Sequence, residues 1–210
     1  MTISTYQPAP PDSLLLDSIR ARRSIRRYTR QPVPQAVIEA LLTAASWSPS
    51  AHNRQPWRFV AVTTAPVQEK LARQMGERLR ADLRADGIAA EAIEQDAARS
   101  YSRITGAATL IVVCMSLVDM DHYPDAHRAQ AEYLMAAQST AMAVQNLLLA
   151  AHSYGLGACW MCAPLFCPEV VKEALTLPAD WQPQALITLG YPAETKIKSR
   201  EPLETRVLWR

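Results

Sequence analysis

The chain is short of the features that mark several large classes of protein. Only 6 of its 210 residues are glycine and they follow no period, which excludes a collagen-like or glycine-linker architecture. The net charge of +2 is too small to give the whole molecule the bias towards polyanions that nucleic-acid binding needs. There is no P-loop, no HExxH and no GxSxG, so a phosphate-cradling glycine loop, a zinc-protease helix and a nucleophile elbow are all missing. The opening MTISTYQPAPPDS has neither the basic stretch nor the apolar core of a secretory signal. The longest apolar region, Ala131 to Ala151, is interrupted by Glu132, Gln138, Gln145 and Asn146, groups that are costly in hydrocarbon. A cytoplasmic protein that neither spans a membrane nor binds nucleic acid is expected, with Cys114, Cys159, Cys162 and Cys167 as reduced thiols.

What is present describes one folded domain over 1–210. Hydrophobic residues make up 49% of the chain, enough to bury a real core. Asp12 is placed to cap a first helix carrying Leu15, Leu16 and Ile19. Pro34 opens a second helix with Val37, Ile38, Leu41, Leu42 and Ala45 on one face, ending by Pro49. A polar loop then leads into a strand from Trp57 to Val62. Helical patterns from Val67 to Leu83 and from Ala89 to Arg103 are studded with charge and predict an exposed helical pair. Ala108 to Met115 reads as a buried strand, and a long helix from about Arg128 runs to Ser153 and stops at Gly155. That helix is apolar nearly all round, so it needs burial on every side, and a subunit interface is the economical way to provide it. A strand near Cys159 to Met161, a helix from Pro168 to Leu175 and a strand from Ala185 to Leu189 follow, before twenty residues alternating proline with charge that read as an extended C-terminal arm.

Four places carry chemical interest. Arg20, Arg22, Arg23, Arg26, Arg27 and Arg30 crowd eleven positions, and Arg22, Arg23, Ser24 and Arg26 among them combine guanidinium forks with a hydroxyl. That set suits a phosphate clamp, although a solvated charged turn has the same composition. The loop Ser48 to Trp57 concentrates donors and acceptors able to read the edge of a flat heterocycle, or to do no more than cap a loop. Cys159 and Cys162 have redox or zinc spacing, but the bulky Trp160 and Met161 between them favour buried structural thiols. Gly155 and Gly157 imitate a dinucleotide fingerprint, yet Trp160 replaces its third glycine and a helix precedes it in place of a strand. No nucleophile stands with its base, so an enzyme of this sequence would leave the chemistry to a cofactor.

Taken in order, RRSIRRY (22–28), SPSAHNRQPWRF (48–59), GLGACWM (155–161), ALITLGYP (185–192) and KSR (198–200) resemble the FMN-dependent nitroreductase family. The second block and CWMCAPLFCPE are most similar to members related to the reductase domain fused to F420 gamma-glutamyl ligase. The resemblance implies an α+β fold, with a mainly antiparallel sheet flanked by helices, in a homodimer interlocked around the long helix. It implies two FMN sites at that interface. Arg22, Arg23, Ser24 and Arg26 would hold the ribityl phosphate region, approached by Lys198 and Arg200 from the arm. Ser50, Ala51 and Asn53 would come from the partner subunit. Trp160, Met161 and Cys162 would lie beside the isoalloxazine ring, one of their backbone N–H groups facing N5. Two positions depart from the pattern: Ala51 stands where many relatives carry a hydroxyl, and Cys162-Ala163 replaces a glycine-like element.

The implied activity is hydride transfer from NAD(P)H through FMN to a small-molecule electron acceptor such as a nitroaromatic or quinone, with no catalytic side chain beyond the flavin. A specialised reductase or dehydrogenase of a biosynthetic intermediate is the alternative within that class, and a dimer binding a phosphorylated ligand without redox turnover is the alternative outside it. Residues from about 64 to 128 carry no motif that names a substrate.

Overall fold

The computed structural model describes residues 14–210, so the capping role expected of Asp12 lies outside the described residues. The elements in chain order are α1 (Leu14–Ala21), α2 (Gln35–Ser46), β1 (Trp57–Val62), α3 (Ala65–Ala85), α4 (Ala90–Thr105), β2 (Thr109–Met115), α5 (Ala126–Ser153), β3 (Gly157–Met161), α6 (Pro168–Leu175) and β4 (Gln182–Gly190). Three short 3-10 turns cover Ala51–Asn53, Ala163–Phe166 and Leu203–Thr205. The fold is α+β. Its sheet has the order β1-β2-β4-β3 with every pairing antiparallel.

The inner strands explain why the sheet has helices on both faces. All seven residues of β2 are buried, which alternation to a solvated face would forbid. Ile111 and Val113 point with Ala185, Ile187 and Leu189 of β4 into a core shared with α2 and α5. Leu110, Val112 and Cys114 point with Leu186 the opposite way, towards α3 and α6. A bulge between Val113 and Cys114 shifts the register of β2 against β4.

The α3–α4 pair differs from the expectation of an exposed hairpin. Leu71, Ala72 and Met75 of α3 and Ile93, Ala97 and Ile104 of α4 are buried. Their spacing of three, four and seven residues makes a narrow stripe that the abundant charge on the outer faces conceals in a composition reading.

Helix α5 starts at Asp125, whose carboxylate accepts the backbone N–H of Arg128 at 2.9 Å. Small residues on its inner face, Ala136, Ala143 and Ala151, let Val144 and Leu147 reach the sheet and α2. Burial on every side is not achieved within one chain. Leu134 is 52% and Met142 41% exposed on the opposite face, so this helix keeps an apolar stripe in need of cover. By length and composition α5 is the one described helix apolar enough to cross a membrane, but its buried face is the floor of the core.

Candidate functional site

The N-terminal segment reaches the sheet at the free edge of β3. Arg22 closes α1 by donating its N–H to the Ser18 carbonyl at 3.0 Å. Ser24 then bridges to Ala158 in parallel, and the Ile25 N–H donates to the Ala158 carbonyl at 3.1 Å. Further on, the Thr29 N–H donates to the Tyr191 carbonyl and the Ala193 N–H to the Arg27 carbonyl, both at 2.9 Å. The segment thus lies along β3 and across the end of β4. Alternation sends Ile25 inward and leaves Arg26 exposed.

Two glycines make this approach possible. A Cβ on Gly157 would stand 2.8 Å from Ile25 side-chain atoms, and one on Gly190 would stand 3.0 Å from the Tyr28 Cβ. Tyr28 in turn places its hydroxyl 2.7 Å from the Thr188 Oγ1, and that hydroxyl also bonds the Ile25 carbonyl. Burial raises the Tyr28 phenol well above its ordinary pKa.

Positive charge outweighs negative here, with Glu194 the one carboxylate that lines the cavity beside Arg22, Arg23 and Lys196. The Arg22 guanidinium has its pKa lowered by burial first, then by Arg200 and Arg23. Among the described residues, Arg22, Arg23, Arg26 and Arg200 form no ion pair with a carboxylate. The Arg23 Nε is buried with no hydrogen-bond partner, although its Nη1 donates to the Arg22 carbonyl at 2.8 Å. A cavity of about 290 Å³ opens in front of these groups, lined by Arg22, Arg23, Gly157, Leu148, His152 and Lys196. Orphaned guanidinium donors of this kind fit a dianionic phosphate. Lys196, which motif reading passes over, lines the cavity and pairs with Glu194 at 3.0 Å. Lys198 stands exposed on the arm. The Arg26 backbone N–H donates to Glu194 Oε1 at 2.7 Å and holds that carboxyl below its usual range.

Trp160, Met161 and Cys162 close a second cavity of about 330 Å³ on the α4 side of the sheet, together with Arg26. Arg23 lines the first cavity and Arg26 the second, so the segment that carries Ser24 along the β3 edge contributes to both. Here the structure corrects one expectation. Cys159 is buried, but Cys162 is exposed, because β3 ends at Met161 and the chain turns outward there. The Trp160 indole N–H donates to the Cys162 Sγ at 3.2 Å. No group of metal-ligating side chains gathers here or elsewhere among the described residues.

The loop Ser50 to Gln55 is well determined but distant. His52, Asn53 and Gln55 all adopt positive φ, at 48°, 55° and 49°, conformations that persist in non-glycine residues only when the surroundings fix them. The fixing groups are visible: the Gln55 N–H donates to the Ser50 Oγ at 3.0 Å and the Ala51 N–H to the Ser139 Oγ of α5 at 3.3 Å. The loop precedes Trp57, which pairs across Met115 to Gln182 at the start of β4. Ala158, behind the clamp, pairs with Leu189 near the end of β4. Loop and clamp therefore occupy diagonal corners of the sheet, separated by roughly 14 Å across three strand spacings and about 20 Å along the strands. One chain does not bring Ser50, Ala51 and Asn53 to Arg22, Arg23, Ser24 and Arg26.

Residues 19–191 match the model of the nitroreductase family. The chain belongs to that family. A Thermus thermophilus protein named NADH dehydrogenase is 32% identical over 90% of this chain and 92% of its own length. A Desulfovibrio desulfuricans protein assigned as a nitroreductase and crystallised with FMN superposes with a TM-score of 0.74 at 30% identity, over 95% of this chain and 98% of that one. The NADPH:FMN oxidoreductase of Vibrio harveyi shares the fold alone, with a TM-score of 0.69 at 23% identity over 93% of this chain and 76% of its own. In this member of the nitroreductase family, 22–28 and 155–161 meet at the β3 edge and 48–59 lies at the opposite corner of the sheet.

Proposed function

We propose that this nitroreductase-family protein is an FMN-dependent oxidoreductase that carries hydride from NAD(P)H to a small electron acceptor such as a nitroaromatic or a quinone. The observation that supports it most is the cluster of Arg22, Arg23 and Arg200, which form no ion pair with a carboxylate among the described residues and include the buried, unpartnered Arg23 Nε. Bound FMN supplies the redox chemistry, since no side chain here is equipped to accept hydride.

The chain's own residues bind and orient. Arg22, Arg23, Ser24, Arg200 and Lys198 hold the phosphate and ribityl region, and Lys196 adds charge to the same wall. Arg26 lines the second cavity and would approach the cofactor from that side. Trp160 packs with the α2–α5 core and Met161 with the α3–α6 core, so it is the backbone of Trp160 to Cys162 that would offer N–H groups to the ring at the end of β3.

The active unit is a homodimer. Ser50, Ala51 and Asn53 complete the site of the partner subunit, a reading supported by their diagonal separation from the clamp and by the exposed Leu134 and Met142 on α5. The chain acts as one nitroreductase-like domain with an extended C-terminal arm, and the four free thiols suit the reducing cytoplasm. Purified protein is tested for flavin absorbance and for NAD(P)H oxidation on addition of a nitroaromatic or quinone. A colourless protein that neither binds added FMN nor oxidises NAD(P)H contradicts the reading.

A further inference from the structure

The outer wall of the 330 Å³ cavity comes from α4, a helix to which no sequence block contributes. Asp96, Arg99, Ser100 and Arg103 recur at steps of three and four residues and so share one face, and that face looks across the cavity at Trp160 to Ala163. Charge is unevenly matched along it. Arg99 is paired with Asp96. Arg103 is partly buried and has no carboxylate partner among the described residues. Its field reaches the Cys159 thiol, as those of Arg26 and Arg22 do. An unpaired guanidinium in the wall of a cleft of this size, which Trp160 and Met161 also line, is arranged to receive a small molecule with an anionic substituent.

We infer that this cavity selects small aromatic acceptors carrying a carboxylate, and that Arg103 is the residue that determines the preference. The inference rests on the flavin reading above, which puts the ring against Trp160 to Cys162 and leaves the α4 face to meet whatever is laid upon it. Arg103 acts on the acceptor and not on the flavin phosphate, because the phosphate cluster of Arg22, Arg23 and Arg200 is assigned to the other cavity. Asp96 contributes by occupying Arg99, which leaves Arg103 as the unpaired guanidinium on the α4 wall, opposite Arg26 at the β3 edge.

The test compares an acid with its uncharged amide, which have the same shape. Benzoate and benzamide are titrated calorimetrically into the flavin-loaded protein, and the ratio of kcat/KM for 4-nitrobenzoate to that for 4-nitrobenzamide is measured at a fixed NAD(P)H concentration. The acid should be favoured in both experiments, by about tenfold, the effect of one charge-assisted hydrogen bond. Added salt should shrink the preference. Arg103→Gln should abolish it, and Arg103→Lys should restore part of it, which guards against a variant that merely folds poorly. Equal binding of acid and amide by the unmodified protein overturns the inference, as does an unchanged ratio in Arg103→Gln. A loss confined to flavin reduction by NAD(P)H also overturns it, because Arg103 would then be serving the donor's phosphates. If the protein holds no flavin, the functional reading fails on its own, and benzoate against benzamide titrated into that same sample still decides the cavity.

Discussion

Ile25 rests so closely on Gly157 that a methyl group there would come within 2.8 Å of the Ile25 Cβ. The contact sets the depth at which the arginine segment lies against β3. Gly157→Ala should therefore push the clamp outward, at a cost of about 1–3 kcal/mol typical of overpacking, and should weaken FMN binding along with thermal stability. Thermal melts with a fluorescence titration of FMN read both effects. A variant with wild-type melting and wild-type affinity would show that Ile25 can move aside freely.

Removing one clamp arginine should affect the loaded and the empty protein differently. Arg22→Ala, and likewise Arg26→Ala, should lower FMN affinity by about ten- to a hundredfold, the equivalent of one charge-assisted contact at ~1.5–3 kcal/mol. Without FMN, Arg22→Ala relieves crowding with Arg200 and Arg23, so the apoprotein should melt no lower than wild type. Unchanged affinity in both variants would remove the clamp from the site.

The apolar stripe on α5 gives a test of assembly. Leu134→Glu combined with Met142→Glu places two charges on residues that are exposed in one chain, so the chain should still fold. In the dimer they should be intolerable. Sedimentation is expected to report a monomer with little flavin, whereas a flavin-replete dimer of this variant would put the interface elsewhere.

Thiols should not carry the electrons. Burial raises the Cys159 pKa, which disfavours the thiolate that a dithiol relay needs from both partners, so the exposed Cys162 stands without a reactive mate. Cys114, deeper still, is pushed up to about 12. A Cys159→Ala, Cys162→Ala double variant that still holds FMN should be reduced by NAD(P)H at a rate near that of wild type, measured by stopped-flow absorbance. Loss of reduction in a folded, flavin-loaded sample would revive the dithiol.

Alkali should release the clamp through Tyr28. The folded state raises this phenol's pKa, chiefly by burial, so its contribution is fully present below the unfolded value of ~10 and is lost as pH rises towards the folded one. Tyr28→Phe gives up the bonds to Thr188 and Ile25, at ~0.5–1.5 kcal/mol each, but cannot ionise. Its denaturation midpoint should start lower and fall less steeply above about pH 10 than that of wild type. Parallel curves would exclude Tyr28 as the titrating group.

Much of the architecture was legible because it is periodic. Trp57–Val62 and Pro168–Leu175 were delimited to the residue, since a polar loop and prolines punctuate them. The inner stripe of α3 and α4 escaped notice because charge dominates their composition. The crowding of arginines was legible in the sequence, whereas the role of Gly157 and Gly190 depends on a partner segment more than a hundred residues away. Exposure of Cys162 was missed because flanking apolar residues say nothing about where a strand ends. The α4 face was missed for a related reason: Asp96, Arg99 and Arg103 form an ordinary charged pattern until the fold sets Trp160 opposite them.

The bridge between Ser24 and Ala158 has a further consequence for the solubility of the molecule. β3 is an outer strand, and outer strands offer unpaired amides on which other chains can template. Ile25 takes the Ala158 carbonyl and the segment lies along that margin, so the arginine-bearing strip also serves as a guard against cross-chain β-pairing. Substitutions that loosen the strip would then be expected to show first as turbidity in cofactor-starved cells, before any loss of turnover is measured.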